Sequence, residues 1–126
     1  MQEDKIVLSG LSKTWILDID GTLVKHNGYI IDGKDTLLPG IRSFLMNISD
    51  DDLVVIITSR TEERRHATEK FLRENDIRFD ALICGAPYGE RIVVNDRKPS
   101  GLNTAVAINT QRDCVSGINI VIDRTL

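Results

Sequence analysis

Very little in this sequence is concentrated in one place, and each scarcity removes a class of function. The 126 residues hold only two cysteines, Cys84 and Cys114, in no metal-ligand spacing, so they read as reduced thiols acting as small core hydrophobes. Three prolines, no repeat, 41% apolar and 28% charged residues exclude a disordered tail. No run approaches the roughly 18 apolar residues of a membrane helix. The acidic start Met1-Gln2-Glu3-Asp4-Lys5 leads into too short an apolar run for a signal peptide, which makes the cytoplasm the expected compartment. Basic and acidic residues are interspersed around a net charge of −3, so the basic stripe of a nucleic-acid binder is missing. The length suits a single domain over residues 1–126.

What the chain does have is a series of short apolar runs that end in polar residues. They are Thr14 to Ile19, Leu53 to Ile57, Ala81 to Cys84, Arg91 to Val94, Ala105 to Ile108 and Ile118 to Ile122. Apolar runs without alternation predict strands covered on both faces, as in a parallel sheet. Between them, Pro39 opens a helical pattern carrying Ile41, Phe44, Leu45 and Ile48, and Thr61 caps a second one carrying Ala67, Phe71 and Leu72. Strand alternating with helix predicts an α/β fold of three layers, a doubly wound, mostly parallel, Rossmann-like sheet whose ligand crevice lies beyond the carboxyl ends of the strands. Leu23 to Gly33 reads as a short flap hairpin beside that crevice, and no connection is long enough for a cap domain.

Asp18-Ile19-Asp20-Gly21-Thr22 leaves the first of these runs. Alternation along an extended chain sends Asp18 and Asp20 to one side. Two anions so close are costly unless a cation binds or one carboxyl is protonated, and both outcomes suit phosphoryl transfer. Thr58, Ser59, Asn95 and Asp96 also fall just past expected strand ends, so the same rim is expected to collect them.

The segment Asp-Ile-Asp-Gly-Thr-Leu after an apolar strand resembles the first motif of the haloacid dehalogenase superfamily. The resemblance implies that Asp18 is the nucleophile, that Asp20 is the general acid and base, and that its carbonyl binds magnesium. Val54-Val55-Ile56-Ile57-Thr58-Ser59-Arg60 resembles the second motif, which makes Thr58 the holder of the phosphoryl oxygens. Gly21, Thr22, Ser59, Arg60 and Arg91 are the expected substrate contacts, Arg60 through a charge-assisted hydrogen bond. Ile92-Val93-Val94-Asn95-Asp96-Arg97 resembles the fourth motif, which makes Asp96 a magnesium ligand with Asp18 and Asp20.

The third motif departs from the family. Small relatives assigned to capsule or surface-sugar biosynthesis often carry Gly-Lys-Pro, whereas this chain reads Gly85-Ala86-Pro87. Lys98 and Arg91 are the cations that could replace the Lys. A residue past the strand end reaches the rim, which favours Lys98, while Arg91 starts at the opposite end. The resemblance therefore implies a small capless magnesium-dependent phosphatase, with a phosphate monoester as substrate and a sugar phosphate as the first expectation. An open crevice also allows closure by a second subunit. Two other classes stay open, a receiver-like signalling domain phosphorylated on Asp and a catalytically idle binding module of the same fold. His26 and His66 have no metal-ligand spacing, and Trp15 reads as core.

Overall fold

In the computed structural model, residues 5–115 and 117–126 are described. Among the described residues the chain is α/β, with two small parallel sheets. Strands β2 (Thr14–Leu17), β3 (Leu53–Ile57) and β4 (Ala81–Ile83) form one, in the order β2-β3-β4. Strands β1 (Lys5–Leu8) and β5 (Asn119–Ile122) form the other. Helices α1 (Gly28–Ile31) and α2 (Ile41–Met46) connect β2 to β3, and a short 3-10 turn (Glu62–Arg64) running into α3 (Arg65–Glu74) connects β3 to β4. Among the described residues no helix is long and apolar enough to cross a membrane.

The amino-terminal ends of β2 and β3 are fastened by side chains. Asp52 accepts the Lys13 amide at 2.9 Å on one oxygen and Trp15 Nε1 at 2.8 Å on the other. Burial pushes the Asp52 carboxyl up, but these two hydrogen bonds and the charges of Lys13 and Arg78 outweigh it and hold the group below its ordinary range. Asp80 does the same for β3 and β4, accepting the Val54 amide at 2.7 Å. With register fixed at this end, the opposite ends of β2 and β3 are fixed as well: Leu17 pairs with Ile56, so Asp18 and Thr58 leave adjacent strand tips.

The sheet is buried on one face. Leu17, Val54, Ile56 and Leu82 turn into the core, where they meet Ile19, Leu23, Val24, Ile41, Leu72 and Ile77. Trp15 joins them edge-on to Phe44, with ring centroids 5.8 Å apart. On the other face Ile16, Leu53 and Ile83 are about half exposed, at 49%, 48% and 48%. The expectation of strands covered on both sides is thus corrected for this sheet: an unbroken apolar run gives the element type but not the number of covered faces.

Three further expectations change. No strand forms over Arg91–Val94 or Ala105–Ile108; residues 91–100 are exposed throughout, and Val94 is 93% exposed. The expected six-stranded sheet is instead two separate sheets, one of which uses the unpredicted strand Lys5–Leu8. The Leu23–Gly33 segment is not a hairpin flap. An antiparallel bridge between Val24 and Leu37 closes its base, and its tip is the single turn α1. Asn27, in the left-handed region at φ 55°, begins that turn.

Candidate functional site

The tip of β2 is shaped by Ile19, whose carbonyl receives the amides of Thr22, Leu23 and Val24 at 3.2, 2.9 and 3.1 Å. The chain turns back tightly because Gly21 takes φ +82°, a conformation that costs an L-residue roughly 1–2 kcal/mol. A side chain at Gly21 would also meet Arg112, whose Cγ would stand 3.3 Å from the added carbon. The loop holding Arg112 docks through Asp113, whose amide donates to the Gly21 carbonyl at 2.8 Å and whose carboxylate accepts the His26 amide at 2.7 Å. Arg112 and Asp113 lie beyond the last stretch that carries a motif, so nothing in the sequence singles them out.

Asp18 stands at this tip with its side chain 39% exposed. Arg91 Nη1 donates to one of its oxygens at 3.1 Å, and the Thr22 hydroxyl donates to the other at 3.4 Å. The cation beside Asp18 is therefore Arg91, while Lys98 lies on the exposed stretch and its amide donates to the Leu102 carbonyl at 3.0 Å. The preference for Lys98 assumed a strand over 91–94 that does not form, and without it Arg91 has no far end to be confined to.

Asp20, two residues on, faces a different partner. Both of its oxygens accept from Arg60, from Nε at 2.9 Å and Nη2 at 2.8 Å. Asp35 accepts Nη1 and Nη2 of the same guanidinium at 3.0 and 2.8 Å, and Thr68 Oγ1 accepts Nη1 at 3.1 Å. All five guanidinium donors are thus used inside the protein. Arg60 is 5% exposed. Burial works against its charge, but the Asp20 and Asp35 hydrogen bonds overcome this and raise its pKa. The structure gives Arg60 the work of positioning Asp20, in place of the substrate contact expected for it.

Thr58 lies at the tip of β3, where its hydroxyl oxygen accepts the Arg60 amide at 3.1 Å and the residue is 1% exposed. Its amide donates to the Ile83 carbonyl at 2.9 Å, and its carbonyl accepts the Ala86 amide at 3.0 Å. It shapes the turn into the 3-10 helix and does not face solvent. Ser59 is more accessible, with its hydroxyl near the Pro87 carbonyl at 3.5 Å.

Asp96 and Asn95 belong to the exposed stretch, where Thr104 bridges them: its hydroxyl donates to the Asp96 carbonyl and accepts Asn95 Nδ2 at 3.0 Å. Among the described residues no three His, Cys, Asp or Glu side chains are grouped to hold an ion. The donors expected for magnesium are the carboxylates of Asp18 and Asp96 and the backbone carbonyl of Asp20, which the contacts of the Asp20 carboxylate with Arg60 leave unused; Asp96 lies on the exposed stretch. A groove of about 500 Å³ bordered by Ile6, Ile108, Asn109, Thr110 and Gln111 contains none of these rim residues.

The arrangement offers an accessible carboxylate at a strand tip, a guanidinium against it, and a second carboxylate locked by a buried arginine. No family model matches the chain, and no curated protein or solved structure matches it.

Proposed function

We propose that the chain is a phosphomonoesterase of the haloacid dehalogenase type, with a Rossmann-like capless fold, in which Asp18 attacks phosphorus. The observation that carries this reading is the pairing at the tip of β2: Asp18 is exposed enough to meet a substrate and holds Arg91 at 3.1 Å. A carboxylate alone repels a phosphate dianion. A guanidinium at hydrogen-bond distance can transfer some of its donors to the phosphoryl oxygens and bring the two anions together.

The chemistry then runs in two displacements. An Asp18 oxygen forms a bond to phosphorus as the bond to the leaving alkoxide breaks, and the alkoxide departs as the alcohol with a proton given by Asp20, the general acid and base that the resemblance implies, which is left as the carboxylate. Water next attacks phosphorus and the bond to Asp18 breaks, releasing phosphate and restoring the carboxylate. Asp20 keeps a lone pair on each oxygen beyond the two given to Arg60, which is the capacity needed to take a proton from that water. Magnesium, implied by the resemblance, would be held by the carboxylates of Asp18 and Asp96 and the backbone carbonyl of Asp20, and would offset the charge of the phosphoryl group.

Asp18→Asn keeps the shape of the side chain and removes the nucleophile. Its release of phosphate from a panel of sugar phosphates, nucleotides and p-nitrophenyl phosphate, assayed with and without magnesium, is expected to be abolished while the unfolding midpoint stays near that of the parent. Full activity in this variant overturns the assignment.

A catalytically idle phosphate-binding module is the second reading, favoured by the same ion pair when Arg91 remains on Asp18. It predicts phosphate binding without turnover by the parent chain.

A further inference from the structure

Arg64 closes the 3-10 turn that begins four residues after Thr58. Its guanidinium carbon lies 4.4 Å from the centre of the Tyr29 ring. The Arg60 guanidinium lies 4.2 Å from the same ring centre. Tyr29 therefore ties Arg64 to the residue that grips Asp20, and the two guanidinium carbons are no farther apart than those two distances laid end to end.

The two cations differ in what they have left to give. Arg60 has no unused donor, as described above. Arg64 is exposed, and among the described residues its guanidinium has no carboxylate and no hydrogen-bond acceptor. Other arginines are spent on local partners: Arg65 on Glu62 and Glu69, Arg73 on Glu69, Arg42 on Asn75. An attraction to a ring face consumes no N–H group, so Tyr29 restrains Arg64 while leaving its donor fork available.

We propose that Arg64, held on Tyr29, is a specificity residue that binds a second anionic group, a carboxylate or phosphate, carried by the alcohol portion of the substrate. The assignment rests on the phosphomonoesterase reading for the site beside it. It narrows the substrate to phosphate esters with an additional negative charge. Arg64 acts on binding and selectivity and not on the reacting atoms.

Glycerol 3-phosphate and 3-phosphoglycerate differ at one end, an alcohol against a carboxylate, and serve as the probe pair. For the parent chain, Arg64→Gln, Arg64→Lys and Tyr29→Leu, kcat/KM is measured for both compounds and Kd for both is measured by calorimetry. The parent is expected to prefer 3-phosphoglycerate by about fivefold, the scale of a partly exposed charge pair. Arg64→Gln and Tyr29→Leu are expected to remove that preference, and Arg64→Lys to keep part of it. Equal Kd for the two compounds in the parent, or a preference that survives Arg64→Gln, overturns the role of Arg64. Preference in Kd without any hydrolysis rejects the esterase reading and retains Arg64 as an anion contact, so the two failures are distinguishable.

Discussion

At the scale of single residues, the most consequential contact is the one that removes Arg60 from the substrate. A guanidinium with two carboxylates and a hydroxyl around it is a buried network. Breaking one partner leaves charges without compensation, at a cost of about 3–5 kcal/mol. Arg60→Ala strands Asp20 and Asp35, whose side chains are 18% and 8% exposed. Denaturant unfolding is expected to show that loss, whereas a solvent-facing substrate contact would change stability by less than about 0.5 kcal/mol. Arg60→Lys cannot reproduce two forks and is expected to lose much of the same stability. Sequence reading placed Arg60 at the right strand tip. What it could not supply was Asp35, which comes from the far side of the α1 segment and turns a rim cation into a buried one.

At the scale of elements, β3 shows how far an apolar pattern reaches. Leu53–Ile57 forms where five consecutive branched or aliphatic residues require it, and its neighbours β2 and β4 start at the expected residues, Thr14 and Ala81. The helical pattern after Thr61 also appears, with Thr68 and Leu72 buried one turn apart and Glu69 paired to Arg65 and Arg73. Arg91–Val94 has the same apolar character and remains exposed, because a strand needs an edge to pair with as well as a β-prone sequence. The one-sided burial of the sheet gives a direct comparison. Ile56→Ala, at a position 0% exposed, is expected to cost about 2–4 kcal/mol of unfolding free energy. Ile16→Thr, on the half-exposed face of β2, is expected to cost less than about 1 kcal/mol. Similar losses at both positions in denaturant titrations would mean that the second face is covered after all.

At the scale of the whole molecule, the buried apolar core is drawn from Leu17 to Leu82. That stretch is also where the sequence was most legible: strand, acidic tip, helix, strand, hydroxyl tip. Beyond Cys84 the motifs were legible as residues but not as positions, since nothing in Ile92-Val93-Val94-Asn95-Asp96 states which strand it joins. Arg91 nevertheless reaches Asp18 across 73 positions of sequence, and Asp113 reaches His26 across 87. These two long-range contacts carry the rim together with the local turn at Gly21. The α/β class and the position of Asp18 and Asp20 at the end of the first apolar run could be read from the chain, whereas the single doubly wound sheet did not form and the identity of the cation on Asp18 depended on tertiary contact alone.

The claim on which the functional account rests is that phosphorus becomes bonded to Asp18 during turnover. The most direct measurement is peptide mass spectrometry of the chain quenched in acid within milliseconds of mixing with saturating p-nitrophenyl phosphate. The account predicts one added phosphoryl group on the peptide containing Asp18, localised to that carboxylate and absent from Asp18→Asn. Phosphate release with every peptide unmodified across the time course, or a phosphoryl group found on another residue, would contradict it.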